Sequence, residues 1–352
     1  MDAIRKAAKI ISKGGVVAIP TDTVYGLVAD ALNERSVKRI YELKRRPPDK
    51  PLVLFVKDLA EAQKFAEFSE DALKLALKFW PGPLTLIVKA KPYAPKTLVT
   101  PKGTIGLRIP NDSVVMALLD IAKMPLASTS ANLSGMPPAK DSTEVRHQMP
   151  QQPDYVINGV AGGKPPSTVI DFSQEQPVIL RKGPISIPQI ENTIGKEVKL
   201  SKHLDLRIFF VCTGNIYRSK MAELILKDLL PKDLHGKVLV RSGGLHAPHG
   251  IPIPEDVRIL LREIGIHAPD DSHAHQINEA DIEWADIIYC MEQRHLEKLR
   301  EYEGGHKAKL LNSHDIPDPL GHSLPFIRLV RDGICRILKN EIVPYIIRKF
   351  DE

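Results

Sequence analysis

Residues 206–230 constrain this chain more than any other stretch. Leu206-Arg-Ile-Phe-Phe-Val211 is an apolar run of strand length, and Met221, Leu224, Ile225 and Leu229 recur at helical spacing over 218–230. Only the loop Cys212-Thr213-Gly214-Asn215-Ile216-Tyr217-Arg218-Ser219 separates the two. A buried strand feeding an amphipathic helix through a tight loop is the opening of a βαβ unit. Further apolar runs at 237–241, 287–290 and 308–311 alternate with helical patterns at 255–264, 293–302 and 325–350. That alternation predicts a small Rossmann-like parallel sheet with helices on both faces.

The loop has the length to wrap a tetrahedral oxyanion. Its backbone N–H groups can converge, and the following helix N-terminus adds positive potential that suits a thiolate nucleophile. Arg218 can grip two phosphate oxygens with its planar fork, Ser219 can hydrogen-bond the sulfur, and Asn215 can brace the loop. The residues predict a phosphoenzyme mechanism in which Cys212 attacks phosphorus. The acid must come from elsewhere. Asp318, in the rigid turn Asp315-Ile-Pro-Asp318-Pro319-Leu-Gly321, is the candidate, with Asp315 as the backup, read first as a structural turn residue. Cys290 and Cys335 read as core.

These residues, together with Arg241-Ser242-Gly243-Gly244, resemble the low-molecular-weight protein-tyrosine phosphatase superfamily, which includes bacterial protein-arginine phosphatases, over about 206–350. The resemblance implies Cys212 as nucleophile, Arg218 as phosphate ligand, Asp318 as general acid, and Thr213, Gly214, Asn215, Ile216, Tyr217 and Ser219 as the rest of the phosphate loop. The sequence departs from the family at three places: Tyr217 stands where a second Cys is usual, Lys220 where Pro is usual, and Leu320 where an aromatic is common. Ile216 matches tyrosine-directed members, whereas Asp-Ile-Pro-Asp-Pro matches arginine-directed ones. Both substrates stay open, as does an inactive or regulatory anion-binding domain.

The first half is built differently. Helical spacing over 3–13 and from Asn33 to about Leu43 flanks a buried strand at 16–20, and strands are predicted at 51–56, 84–88 and 104–109, with a helix at 69–78. Mixed helix and strand signals predict an α/β unit around a large twisted sheet. Its polar segments are concentrated: Pro20-Thr-Asp-Thr23-Val-Tyr-Gly26 at a strand end, Lys44-Arg-Arg46-Pro-Pro-Asp-Lys50 at a helix end, Arg108 on a strand, and Ser128-Thr-Ser130-Ala-Asn132. An Arg on a strand is costly unless paired, and a carboxylate ligand would pair it. Ser167-Thr168 and Leu180-Arg181 add two more polar strand ends. Trp80-Pro-Gly-Pro-Leu-Thr85 reads as a structural turn.

In order and spacing, these segments resemble the YrdC-like threonylcarbamoyl-AMP synthase family over about 5–185. The family's Lys-x-Arg and Ser-x-Asn signature is met by Lys44, Arg46, Ser130 and Asn132. The resemblance implies a YrdC-like large twisted mixed sheet. It implies that L-threonine, bicarbonate and ATP (with Mg2+, as the substrate complex) give L-threonylcarbamoyl-AMP for N6-threonylcarbamoyladenosine at position 37 of tRNA. It assigns Thr23, Arg108 and Ser167 to threonine, and Lys44, Arg46, Lys50, Thr104, Ser130, Asn132 and Arg181 to ATP. No tightly bound cofactor is implied. The partners expected are tRNA with the machinery that transfers the threonylcarbamoyl group, and a phosphoprotein for the second half.

Charge separates the halves. Residues 1–204 carry 29 Lys+Arg against 20 Asp+Glu, whereas 205–352 carry 20 against 23. A basic first half favours a polyanion, nucleotide or RNA; the alternative function is therefore a double-stranded-RNA-binding module. No apolar run reaches the ~18–20 residues of a membrane span. Three widely spaced cysteines fit neither a disulfide framework nor a Cys-x-x-Cys metal site, so a reducing cytoplasm is expected. His246, His249, His273, His275, His306, His314 and His322 follow no metal-ligand spacing, and no metal site is expected. The domain bounds expected are 1–188, a linker at 189–205 carrying Pro-punctuated, aperiodic sequence, and 206–352.

Overall fold

The computed structural model describes residues 1–248 and 250–351; His249 lies outside the described residues. Two compact units emerge. One comprises Met1–Ile185 with Thr193–Gly195, and the other Ser186–Asn192 with the chain from Lys196 onward.

The first unit is organised on a mixed sheet. In spatial order its strands are Val178–Arg181, Thr168–Asp171, Leu84–Ala90, Thr104–Arg108, Val53–Phe55, Leu126–Ser130, Gly26–Asp30, Val17–Ile19 and Tyr155–Val156. Parallel pairings (Thr104–Arg108 with Val53–Phe55, Leu84–Ala90 with Thr168–Asp171) are mixed with antiparallel ones, three of them consecutive from Val53–Phe55 to Val17–Ile19. Helices Asp2–Ser12 and Ser113–Ala122 cover one region, where Ala7, Ile11, Val115 and Leu118 pack on Val17, Ile19 and Val28. Helix Glu34–Lys44 begins as expected, with the Asn33 side chain accepting from the Ser36 N–H. Arg45 ends it in the left-handed region (φ 49°), which turns the chain so that Lys44 and Arg46 point differently.

The second unit is the expected small parallel sheet, in order Val238–Gly244, Leu206–Cys212, Ile287–Cys290, Ala308–Leu310. Helix Arg218–Leu229 departs from the amphipathic reading: Arg218 through Leu226 are all buried. It packs on Leu206–Cys212, on Val238–Gly244 and against Leu324–Ile337, so nearly every face has a neighbour. The helix expected over 325–350 is interrupted by a π turn at Leu338–Ile342. Pro344, two residues past Ile342, cannot donate a backbone hydrogen bond, so the regular i→i−4 ladder cannot run through it.

The segment expected as a linker over 189–205 is not irregular. It holds most of helix Ile187–Ile194 and the short strand Lys199–Leu200. Ile187, Ile190 and Ile194 form an apolar stripe that the prolines obscured, and all three are buried. Glu191 accepts from the Tyr345 hydroxyl at 2.8 Å and from the fully buried Lys349 ammonium, and Arg348 forks onto Glu197 at 2.9 and 2.8 Å. Ser186–Asn192 is thereby part of the second unit. No helix among the described residues is long and apolar enough to cross a membrane, and none of their His, Cys, Asp and Glu side chains gather in threes as a metal site would require.

Candidate functional site

In the first unit an open cleft of about 610 Å³ lies over the sheet. Its floor comes from alternate residues of neighbouring strands: Pro51, Val53 and Phe55 on one, Ser128 and Ser130 on the next, with Thr85, Arg108 and Gly26 beyond. Register explains the grouping, because Phe55 lies opposite Arg108, Val53 opposite Ser128, and Gly26 opposite Ser130. Residues opposite one another share a face. The site is therefore a sheet face, where the sequence reading placed it at strand ends.

Three guanidinium groups look into this cleft. Arg108, on Thr104–Arg108, donates from Nε to the Gly82 carbonyl at 3.0 Å, from Nη1 to Thr23 Oγ1 at 3.2 Å and from Nη2 to Asp22 Oδ1 at 2.6 Å. A carboxylate partner for this strand Arg is thus already present within the chain as Asp22, beside the carboxylate ligand the sequence suggested. Arg46 donates to the Lys50 and Pro51 carbonyls. Arg181 donates to the Ser167 carbonyl at 2.9 Å and to Ser167 Oγ at 3.0 Å, and Ser167 Oγ meets Thr85 Oγ1 at 2.8 Å. Burial, with repulsion from Arg108 and Arg46, pushes Arg181 down to about 10. Three cations held mostly by neutral acceptors leave their field directed at whatever enters.

Of the sequence-expected residues, Thr23, Arg46, Arg108, Ser130, Ser167 and Arg181 line the cleft together. Lys44 and Asn132 lie beneath it. Lys44 Nζ donates to the Ser130 carbonyl, to the Asn132 carbonyl at 2.7 Å and to Asn132 Oδ1 at 3.2 Å. Burial first, then Arg46, pushes the Lys44 ammonium down to about 7, while the three oxygens favour its charged form. Lys50 presents its carbonyl to Arg46, and its side chain is exposed. Thr104 stands at the opposite end of its strand from Arg108, hydrogen-bonded to Thr100 at 2.7 Å, and does not line the cleft. Four residues of strand separate the two by about 13 Å, and their even spacing puts both on one face of the sheet. The turn at Trp80–Thr85, expected to be structural, supplies both the Gly82 carbonyl and the Thr85 hydroxyl.

The second unit gathers its residues at the carboxyl ends of its strands. Asn215 adopts φ 52° inside the loop, and its backbone N–H points at Cys212 Sγ at 3.2 Å. The His275 backbone N–H donates to Asn215 Oδ1, which fixes the amide so that Nδ2 faces both Ser219 Oγ at 2.9 Å and Ser242 Oγ at 2.8 Å. Ser242 passes its own proton to Glu223 Oε2. Ser219 is left with its proton for Cys212 Sγ at 3.0 Å or the Gly243 carbonyl at 3.3 Å. Burial pushes the Glu223 carboxyl up, but Lys220, Lys227 and Ser242 outweigh it and hold it below the usual range. Lys220, the departure after Ser219, is thus one of two counter-ions of that network, 3.0 Å from Glu223, with Lys227 at 2.6 Å.

Arg218, 1% exposed, donates to Asp318 Oδ2 at 2.6 Å, to the Ile316 carbonyl at 2.9 Å and to Glu292 Oε1. Cys212, Arg218, Ser219 and Asp318 are therefore assembled, with Thr213 3.5 Å from Arg218. Tyr217 donates to Asp256 at 3.1 Å, and burial together with that carboxylate pushes its phenol up to about 12. Glu292, Arg294 and His295 were not singled out in the sequence. Their signal was position, since they follow strand Ile287–Cys290, whose end is in register with Val211. His295 Nε2 lies 2.9 Å from Thr213 Oγ1, and burial pushes the imidazole down to about 4.

Comparison with known proteins divides the chain in the same way. The Sua5/YciO/YrdC family model, described as "Telomere recombination", matches residues 9–183, and the model described as "Low molecular weight phosphotyrosine protein phosphatase" matches 207–341. A threonylcarbamoyl-AMP synthase of Pyrococcus abyssi is 38% identical over 198 residues, 55% of this chain and 57% of that protein. The chain thus spans little more than half the length of that relative. Escherichia coli YciO (strain K12) is 32% identical over 51% of this chain and 88% of its own length. A crystal structure of P. abyssi Sua5 complexed with L-threonine is similar at 29% identity and a TM-score of 0.54, over 68% of this chain and 88% of that one.

Proposed function

We propose two activities for this chain, which belongs to the Sua5/YciO/YrdC family over residues 9–183 and carries a low-molecular-weight phosphotyrosine phosphatase domain over 207–341: synthesis of L-threonylcarbamoyl-AMP, and cysteine-dependent dephosphorylation of a protein. The observation that carries the first is the trio Arg46, Arg108 and Arg181 over one sheet face, with hydroxyls between them. Threonine and bicarbonate condense to a carbamate with loss of water. A carbamate oxygen then attacks the α-phosphorus of ATP, and pyrophosphate leaves. Such a step needs alignment and charge neutralisation more than a covalent nucleophile. Arg108 spends three of its five N–H groups on Gly82, Thr23 and Asp22, so two remain for the threonine carboxylate. Arg46, Arg181 and Ser130 face the nucleotide, and ATP enters with Mg2+ as its substrate complex. Lys44 shapes the Ser130–Asn132 turn from below. The product serves tRNA N6-threonylcarbamoyladenosine formation.

For the second activity, the Cys212 thiolate attacks phosphorus, Asp318 protonates the leaving group, and water then releases phosphate from the phosphocysteine. Arg218 exchanges its carboxylate partners for phosphate oxygens during this step. The test for the first activity is pyrophosphate release by the full chain, expected only with ATP, threonine and bicarbonate together; release indifferent to threonine overturns it and favours an RNA-binding role. For the second, p-nitrophenyl phosphate hydrolysis is expected to vanish in Cys212→Ser, and wild-type turnover no better than the variant's overturns it.

A further inference from the structure

The phosphate loop has a second guanidinium at its rim that the chemistry above does not use. Arg294 is the second residue of helix Gln293–Arg300. Its Nε lies 2.6 Å from Glu292 Oε2, and its Nη2 lies 3.1 Å from Glu292 Oε1 and 3.3 Å from Thr213 Oγ1. Glu292 Oε1 and Thr213 Oγ1 are also acceptors for Arg218. The two arginines therefore share their partners but not their surroundings: the Arg218 side chain is 1% exposed and that of Arg294 62%.

Asp318 is the other carboxylate on Arg218, and it is uncharged when it acts as proton donor. In that state two guanidiniums face the single carboxylate of Glu292. The substrate phosphate takes Arg218, which leaves Arg294 paired with Glu292 alone, at the rim of the phosphate loop and open to solvent. Its bonds run through Nε and Nη2, so the Nη1 edge of the fork is turned to no acceptor among the described residues. A planar fork with a free edge suits a carboxylate.

We propose that Arg294 is a specificity-determining residue that binds a carboxylate flanking the phosphorylated side chain, so that the substrate class of this domain is an acidic phosphoprotein segment. The inference rests on the phosphatase reading above. Its test uses the full chain with phosphotyrosine and phosphoarginine peptides, each made with Asp or with Asn on both sides of the phosphorylated residue, and with p-nitrophenyl phosphate alongside. Wild type is expected to favour the Asp-flanked member of the cleaved pair by about three- to tenfold in kcat/KM, through KM, with the advantage shrinking as salt rises. Arg294→Gln is expected to bring the Asp-to-Asn ratio near one, and Arg294→Lys to retain part of it. Taking the ratio cancels any effect of the variant on the loop itself. An unchanged ratio in Arg294→Gln, or a wild-type ratio near one, overturns the proposal while leaving the phosphatase reading intact. Absence of Cys212-dependent turnover of every substrate, p-nitrophenyl phosphate included, overturns the phosphatase reading and the proposal with it.

Discussion

The two anion-facing sites of this chain treat their arginines in opposite ways. In the first unit, Arg46 and Arg181 are held by backbone carbonyls and a serine hydroxyl, and Asp22 is the carboxylate bonded to Arg108. In the second, Arg218 is bound to two carboxylates, Glu292 and Asp318. Neutral acceptors orient a guanidinium without cancelling its charge, whereas carboxylates do both. The first site therefore keeps a standing positive field, suited to a polyanionic nucleotide. The second has its Arg218 charge answered by carboxylates at rest and acquires its attraction for phosphate only as partners exchange.

The sharpest way to break this comparison is Arg108→Met. It leaves Asp22 buried without its counter-ion, and Asp22 Oδ2 already has no partner among the described residues. Breaking a buried pair costs about 3–5 kcal/mol of stability, so a lower denaturation midpoint is expected, and loss of the guanidinium proposed for the threonine carboxylate should lower threonine-dependent pyrophosphate release by about a hundredfold; Arg108→Lys should recover part of the stability. Near-wild-type rates in Arg108→Met would remove the ion pair from the account. A smaller effect is expected from Glu292→Gln, which keeps a hydrogen-bonding shape but removes the charge between Arg218 and Arg294. Inorganic phosphate should inhibit p-nitrophenyl phosphate hydrolysis about three- to tenfold more strongly, and unchanged inhibition would show that Glu292 does not compete with phosphate. Smallest is a pH effect at Lys44. Its folded value, about 7, lies below its unfolded one. The burial penalty is therefore fullest below pH 7 and is relieved as pH rises toward the unfolded value. As the ammonium loses its proton, its grip on the Ser130 and Asn132 carbonyls weakens, and kcat/KM for ATP is expected to decline about two- to threefold above pH 7. A profile with the same decline in Lys44→Met would assign it to another group.

Much of the fold was legible because its signals are local. Asn33 as an N-cap, the apolar run at 206–211 and the loop that follows it depend on residues adjacent in the chain. The helix Ile187–Ile194 was missed because Pro184 and Pro188 suggested an aperiodic stretch, although Pro is tolerated in a helix's first turn. Where Thr104 stands relative to the cleft was not legible, because motif spacing along a strand does not say which end of the strand faces a ligand.

The sequence by itself determined that one half would cradle a tetrahedral anion in a strand–loop–helix and that the other would concentrate cations around a mixed sheet. Only the tertiary structure decided which acceptor each cation received. Asp22 reaches Arg108 across 86 positions of chain, Glu292 reaches Arg218 across 74, and Asp318 across 100. Such partnerships are set by strand register and by which strand ends lie side by side, and both follow from packing of the whole unit rather than from the order of neighbouring residues.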